Sequence, residues 1–271
     1  VFSTRILDQM RRVYSSIISH EEYDLAHIIL AKIIKILQAQ FYEPLLIYYL
    51  WCHLVLALRH IEKNEKLSRE YLKRIFEISK KYKNVNYDFI FAEFTKKFDQ
   101  YIGTKNINLA LALVYLFSEV INKLVTPKAV ELQAEFCRAL VSTMIDVGEL
   151  RHVDKVLGIM EHLIKIKVSA NVPVVYASIL VMLISFHSKN QYFEKNERCL
   201  MRLRQLYRTF NKKELAEKYA RGLLQSLLGA HKNPAFAKKL CTLLKELEQW
   251  AEETETKKII QSIVSICKNY E

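Results

Sequence analysis

The sequence predicts an all-α protein: a right-handed α-solenoid of about six antiparallel helical hairpins with a period of ~42 residues. Three observations predict it. Glycine (5) and proline (4) are scarce in 271 residues, far below the usual share of roughly 12%, and sheets and tight-turn sites need both. Apolar residues recur at helical spacing along the chain. Each proline stands where a new apolar-periodic stretch begins, a first-turn position that needs no backbone N–H.

Taken in order, helix one covers about 2–18, with Ile6, Met10, Val13, Tyr14 and Ile17 on one stripe. Ser19-His-Glu-Glu22 reads as a capping box that starts helix two, which runs to about Gln40. Glu43-Pro44 opens helix three, ending near His60, and helix four covers about 66–82. The hairpin over 86–124 is the reference unit, its first helix closed by Gly103 as a C-terminal cap. Thr126-Pro127 starts helix seven, and Gly148 separates it from helix eight. Asn171-Val-Pro173 starts helix nine, while Ser188-x-x-Gln191 and Asn211-x-x-Glu214 read as capping boxes for ten and eleven. Gly229 ends helix eleven, Asn233-Pro234 starts twelve, and helix thirteen lies near 254–270. Gly158 and Gly222 fall inside helices, where they mark close helix contacts.

The residues opening the second helix of each hairpin are Ala26, Ser68, Ala110, Asp154, Lys195 and Lys238, at intervals of 42, 42, 44, 41 and 43. A fixed period in this range marks stacked units, because a lone hairpin buries its apolar face only against a neighbour. A single domain spanning 1–271 follows. The layout resembles the helical-repeat superfamily of tetratricopeptide, pentatricopeptide and HEAT repeats, over nearly the whole chain and in architecture. That resemblance implies a scaffold with an extended concave surface that binds a partner.

Five widely spaced cysteines, an odd number among apolar neighbours, argue against a disulfide framework and for small buried thiols in a reducing compartment, cytoplasm or nucleus. The chain opens VFSTRILDQM without Met, which reads as a piece of a longer protein, and no signal peptide is visible. The most apolar runs, Pro44–Leu58 and Val172–Phe186, are shorter than the ~20 residues of a membrane span, so central buried helices and no membrane are expected.

Chemistry-bearing motifs are sparse. The sequence contains no Gly-x-Gly-x-x-Gly loop, no His-Glu-x-x-His and no Cys-x-x-Cys. His53 and His60 lie two turns apart on helix three, too far to chelate one ion. The eight histidines read as core or surface residues. No catalysis, cofactor, metal or small-molecule substrate is expected.

Charge says more. Lys+Arg 41 against Asp+Glu 29 gives +12, which suits an acidic partner. The segment 65–83 carries +4 and 189–213 carries +6. Lys66, Arg69, Lys73 and Lys80 follow one helical face in the first; Lys195, Arg198 and Arg202 do so in the second, with Arg204 and Arg208 on another face. Tyr82 and Tyr207 interleave them, as stacking on single-stranded nucleic acid requires. A plainly solvated face relieved by pairs such as Glu70–Arg74 and Glu194–Arg198 accounts for the same pattern. At the C-terminal end Ile259, Ile260, Ile263 and Val264 make an apolar stripe that either caps the array or docks on a partner. The expectation is a non-enzymatic protein–protein interaction scaffold, a subunit or domain of a larger complex. The alternative is a basic helical-repeat module on an RNA or DNA backbone.

Overall fold

Helices carry all the regular structure among the described residues of a computed structural model, which covers 4–82, 85–230, 233–250, 260, 261 and 264. The chain divides into two compact units, Val1–Gln133 and Ala134–Glu271. The first holds α1 (Thr4–Ser19), α2 (Tyr23–Ala39), α3 (Glu43–His60), α4 (Glu65–Ser79), α5 (Asp88–Gly103), α6 (Ile107–Ile121) and the start of α7 (Pro127–Val147). The second holds α8 (Val153–Ile166), α9 (Val172–Lys189), α10 (Phe193–Phe210), α11 (Lys213–Gly229) and α12 (Pro234–Trp250). The expected thirteenth helix lies almost wholly outside the described residues.

Each unit is built around one long, largely buried apolar helix. In the first, α3 packs on α1, α2, α4 and α5. Leu50, Leu54 and Leu56 are fully buried there, each worth about 1.5–3 kcal/mol of transfer free energy. In the second, α9 packs on α8, α10 and α11. By length and composition α9 is apolar enough to cross a membrane, but Tyr176, Ile179, Leu180, Leu183 and Ile184 are buried against its neighbours. Both are the central buried helices that the two apolar runs predict.

All four prolines lie in a first helical turn: Pro44 and Pro173 at second positions, Pro127 and Pro234 at first. The three capping boxes do not form. Ser19 is the last residue of α1 and its hydroxyl donates to the Ser16 carbonyl. Ser188 lies inside α9, and Asn211 closes α10 with left-handed backbone. The helix starts are capped instead at Asn64, Thr126, Asn106 and Asn233, whose side-chain oxygens accept from Leu67, Ala129, Leu109 and Phe236 N–H groups.

The boxes at Ser19 and Ser188 fail because the turns there are tighter than the sequence suggests. Glu21, Lys105, Gly148 and Gln191 all take positive φ, between 55° and 74°. At each, that residue's N–H bonds back three residues and the next N–H bonds back five, the Schellman closure of a helix. Three of the four are not glycine, so Gly103 is merely the last residue of α5 and Lys105 makes the turn.

One helical position recurs in burial. The fourth residue of each even-numbered helix is Ala26, Ser68, Ala110, Val156, Asn196 or Ala237, and all but Asn196 and Ser68 are apolar. All six are fully buried. The helices open at Tyr23, Glu65, Ile107, Val153, Phe193 and Pro234, not at the residues the sequence suggests; Ala26, Ser68 and Ala110 fall at the buried fourth position, and Asp154, Lys195 and Lys238 at exposed positions. Polar contacts between segments 35–44 residues apart recur in the chain, and several fall at 42. Trp51 bonds Glu93 (3.0 Å), Lys63 pairs with Glu21, Lys239 with Glu197 and Arg204 with Glu246, each 42 residues apart. Lys212 Nζ reaches the Ala170 carbonyl at 2.9 Å, again over 42 residues. The exposed ion pairs among them, Lys63–Glu21 and Lys239–Glu197, are screened by solvent and mark register more than they stabilise.

A buried polar triad joins three helices of the second unit. Asn196 Nδ2 donates to Ser188 Oγ (2.6 Å), and Ser226 Oγ donates to Asn196 Oδ1 (2.7 Å), linking α10 to α9 and α11. Gly229 makes the closest backbone approach: a Cβ there would stand 2.9 Å from the Ser188 carbonyl oxygen. Gly222 also faces tight packing, from Ile184 and Leu203, whereas Gly158 faces open space and marks no helix contact.

Candidate functional site

The α4 stripe is exposed throughout: Lys66, Arg69, Lys73 and Lys80 all face solvent. Half of its charge is answered locally. Arg69 pairs with Glu65 at 2.6 Å and Lys73 lies 3.5 Å from Glu77, both across one helical turn. Arg74 stands over the Tyr71 ring, 5.6 Å from its centroid. Tyr82 stacks on Phe41, with ring centroids 5.1 Å apart.

The α10 stripe belongs to the second unit and is better organised. Lys195 and Arg198 are exposed and carry no ion pair among the described residues, while half-buried Arg202 lies 3.4 Å from Glu161. Lys195, Arg198 and Arg202 line one cleft of about 140 Å³ with Asp154 of α8 and His187 of α9. Leu150, Val153, Leu157 and Leu183 form its apolar wall. Arg208 is exposed and does not line the cleft. Tyr207 is only 5% exposed. The aromatic interleaving expected for stacking on nucleic acid is therefore absent at Tyr207, because the helical period turns that ring into the core.

His187 is the cleft residue that sequence reasoning missed. It is 6% exposed, and its Nδ1 has no hydrogen-bond partner. Burial first, then the nearby Lys195 charge, lowers its pKa to about 4. No motif pointed to it; the available signal was a polar residue on the buried face of the second unit's most apolar helix. Cys199 also lines the cleft, but burial pushes its thiol up to about 11, which leaves it a packing residue and not a nucleophile.

A second polar cluster lies in the first unit. Tyr71 OH bonds His27 Nε2 at 2.6 Å, and His60 and His53 place their rings 5.6 and 6.0 Å from that of Tyr71. His53 is 3% exposed with both ring nitrogens unpartnered, and burial pushes its pKa down to about 4. The sequence expectation paired only His53 with His60; α2 brings in His27. Among the described residues no group of three or more His, Cys, Asp or Glu side chains is placed to hold a metal ion.

Of the C-terminal stripe, Ile260 is fully buried and Val264 half-buried; Ile259 and Ile263 lie outside the described residues. The two basic stripes fall in separate units. No family model, curated protein or solved structure matches the chain.

Proposed function

We propose that the chain is a non-enzymatic protein–protein interaction scaffold, an intracellular subunit or domain of a larger complex, nuclear or cytoplasmic. In this reading its helices form a right-handed α-solenoid of six hairpins, like tetratricopeptide and HEAT arrays. The observation that carries the proposal is the recurrence in both units of polar contacts between segments about 35–44 residues apart, several of them at 42. Contacts between successive repeats are what a stacked array requires, and such arrays present extended surfaces to partners.

A basic module on an RNA or DNA backbone is the second reading, favoured by the net charge of +12 and the exposed α4 cations. The burial of Tyr207 and the Phe41–Tyr82 stack weigh against single-strand binding. The test is affinity capture from extract with and without nuclease. Proteins retained after digestion support the scaffold. Their loss, together with salt-sensitive binding of labelled RNA or duplex DNA in fluorescence anisotropy, favours the second reading.

A further inference from the structure

We propose that the cleft between α8, α9 and α10 binds a carboxylate, the side chain of an acidic residue in a partner peptide. The proposal rests on the scaffold reading and names the chemistry of its partner. At about 140 Å³ the cleft is well below the roughly 300–1,000 Å³ of small-molecule pockets, but it accommodates one carboxylate group. Three cations, Lys195, Arg198 and Arg202, line it against one acidic side chain, Asp154. Arg202 is partly committed to Glu161, whereas Lys195 and Arg198 present their charge without an ion pair among the described residues. A guanidinium offers a planar fork that matches a carboxylate in bidentate fashion.

His187 is the independent observation. A ring that is 6% exposed, with Nδ1 unpartnered, lies in the wall of a charged cleft. Its Nδ1 is sealed from solvent, so a bound anion acts on the ring through its charge and through the cleft wall, and His187 serves as the reporter of binding. The remaining wall selects the source of the anion. Leu150, Val153, Leu157 and Leu183 are apolar, so they suit a hydrophobic residue beside the acidic one. A nucleic acid strand brings a run of phosphates and bases that need stacking; Tyr207 is buried, while Tyr192 is half exposed beneath Lys195 and beside His187, so the oligouridylate comparator below decides between the two anions.

The experiment uses the full chain and a fluorescein-labelled hexapeptide of alternating Glu and Leu, read by anisotropy. A Gln–Leu hexapeptide, inorganic phosphate and a short oligouridylate serve as comparators. The Glu–Leu peptide is expected to bind and the Gln–Leu peptide to fail. Lys195→Glu/Arg198→Glu should weaken binding about tenfold or more, while Lys66→Glu/Lys73→Glu leaves it unchanged. All four side chains are exposed, so circular dichroism should show both variants folded. Imidazole NMR resonances of His187 should shift on peptide addition. Unchanged binding by the Lys195→Glu/Arg198→Glu variant, or a silent His187, overturns the proposal. Stronger competition by phosphate or oligouridylate than by free peptide also overturns it and assigns the cleft to a phosphoryl ligand. Nuclease-resistant capture by the wild-type chain alongside a failed peptide assay removes the cleft and leaves the scaffold; loss of that capture removes the scaffold itself.

Discussion

The indole N–H of Trp51 donates to the Glu93 carboxylate across 3.0 Å, from α3 to α5 and over 42 residues of chain. Trp51 is largely buried, next to Tyr14 and Tyr48. Glu93→Ala should therefore strand a buried donor and cost about 1–3 kcal/mol. Lys63→Ala, which breaks the exposed pair with Glu21, should cost less than about 1 kcal/mol. Urea unfolding of the two variants checks this; equal losses would show that the Trp51 bond is only a register mark.

The turn residues make a second prediction. Lys105 and Gln191 adopt left-handed backbone at φ 55° and 60°, a conformation that strains residues bearing a Cβ. Lys105→Gly and Gln191→Gly should each raise stability by about 0.5–1 kcal/mol, and Gly148→Ala should lower it by about 1 kcal/mol. Thermal unfolding decides; a loss on Lys105→Gly would mean that its side chain contributes more than its backbone costs.

Two helical glycines should behave oppositely. Gly229→Ala drives a methyl into the Ser188 backbone and should cost about 1–3 kcal/mol by overpacking. Gly158→Ala meets open space within α8 and should gain up to about 1 kcal/mol of helix propensity. The same unfolding assay reads both, and a gain at Gly229 would contradict the close approach of α9 and α11.

Acid should weaken both units. His53 and His187 titrate near 4 when folded, held down mainly by burial, against about 6.5 when unfolded. Between those values the unfolded chain binds more protons, so stability falls as pH drops from about 6.5 towards 4. The loss approaches about 3 kcal/mol for each residue. Arg74 and His27 face His53, and Lys195 faces His187, and each adds to the downward shift. His53→Leu should flatten the acid limb of the first unit's denaturation profile. A variant that keeps the full pH slope would exclude His53 as its source.

Helix existence was legible because apolar spacing and first-turn prolines each report a local constraint. The capping boxes and Gly103 misled, since a Schellman turn at Glu21 or Gln191 leaves no glycine signature. The charged stripes were legible as faces, yet their environment was not. Whether Arg69 meets Glu65 or Arg198 shares a cleft with His187 depends on rotamers and on α9, which sequence spacing on one helix does not encode. Tyr207 shows the limit: adjacent to Arg208 in sequence, it points into the core.

The Asn196–Ser188–Ser226 triad has a consequence for folding fidelity. Apolar helix faces tolerate sliding by one turn, about 5.4 Å, because one leucine substitutes well for another. Here such a slide would orphan buried polar atoms on α9, α10 and α11 at about 1–3 kcal/mol each. Our hypothesis is that the triad closes off near-equal misassemblies that the apolar faces alone would permit. Asn196→Leu should then keep its helical circular dichroism while its amide NMR spectrum broadens; sharp, single resonances would refute the idea. If it holds, the second unit refolds after heating to one arrangement, and the polar key governs how reproducibly it does so rather than how firmly it stays folded.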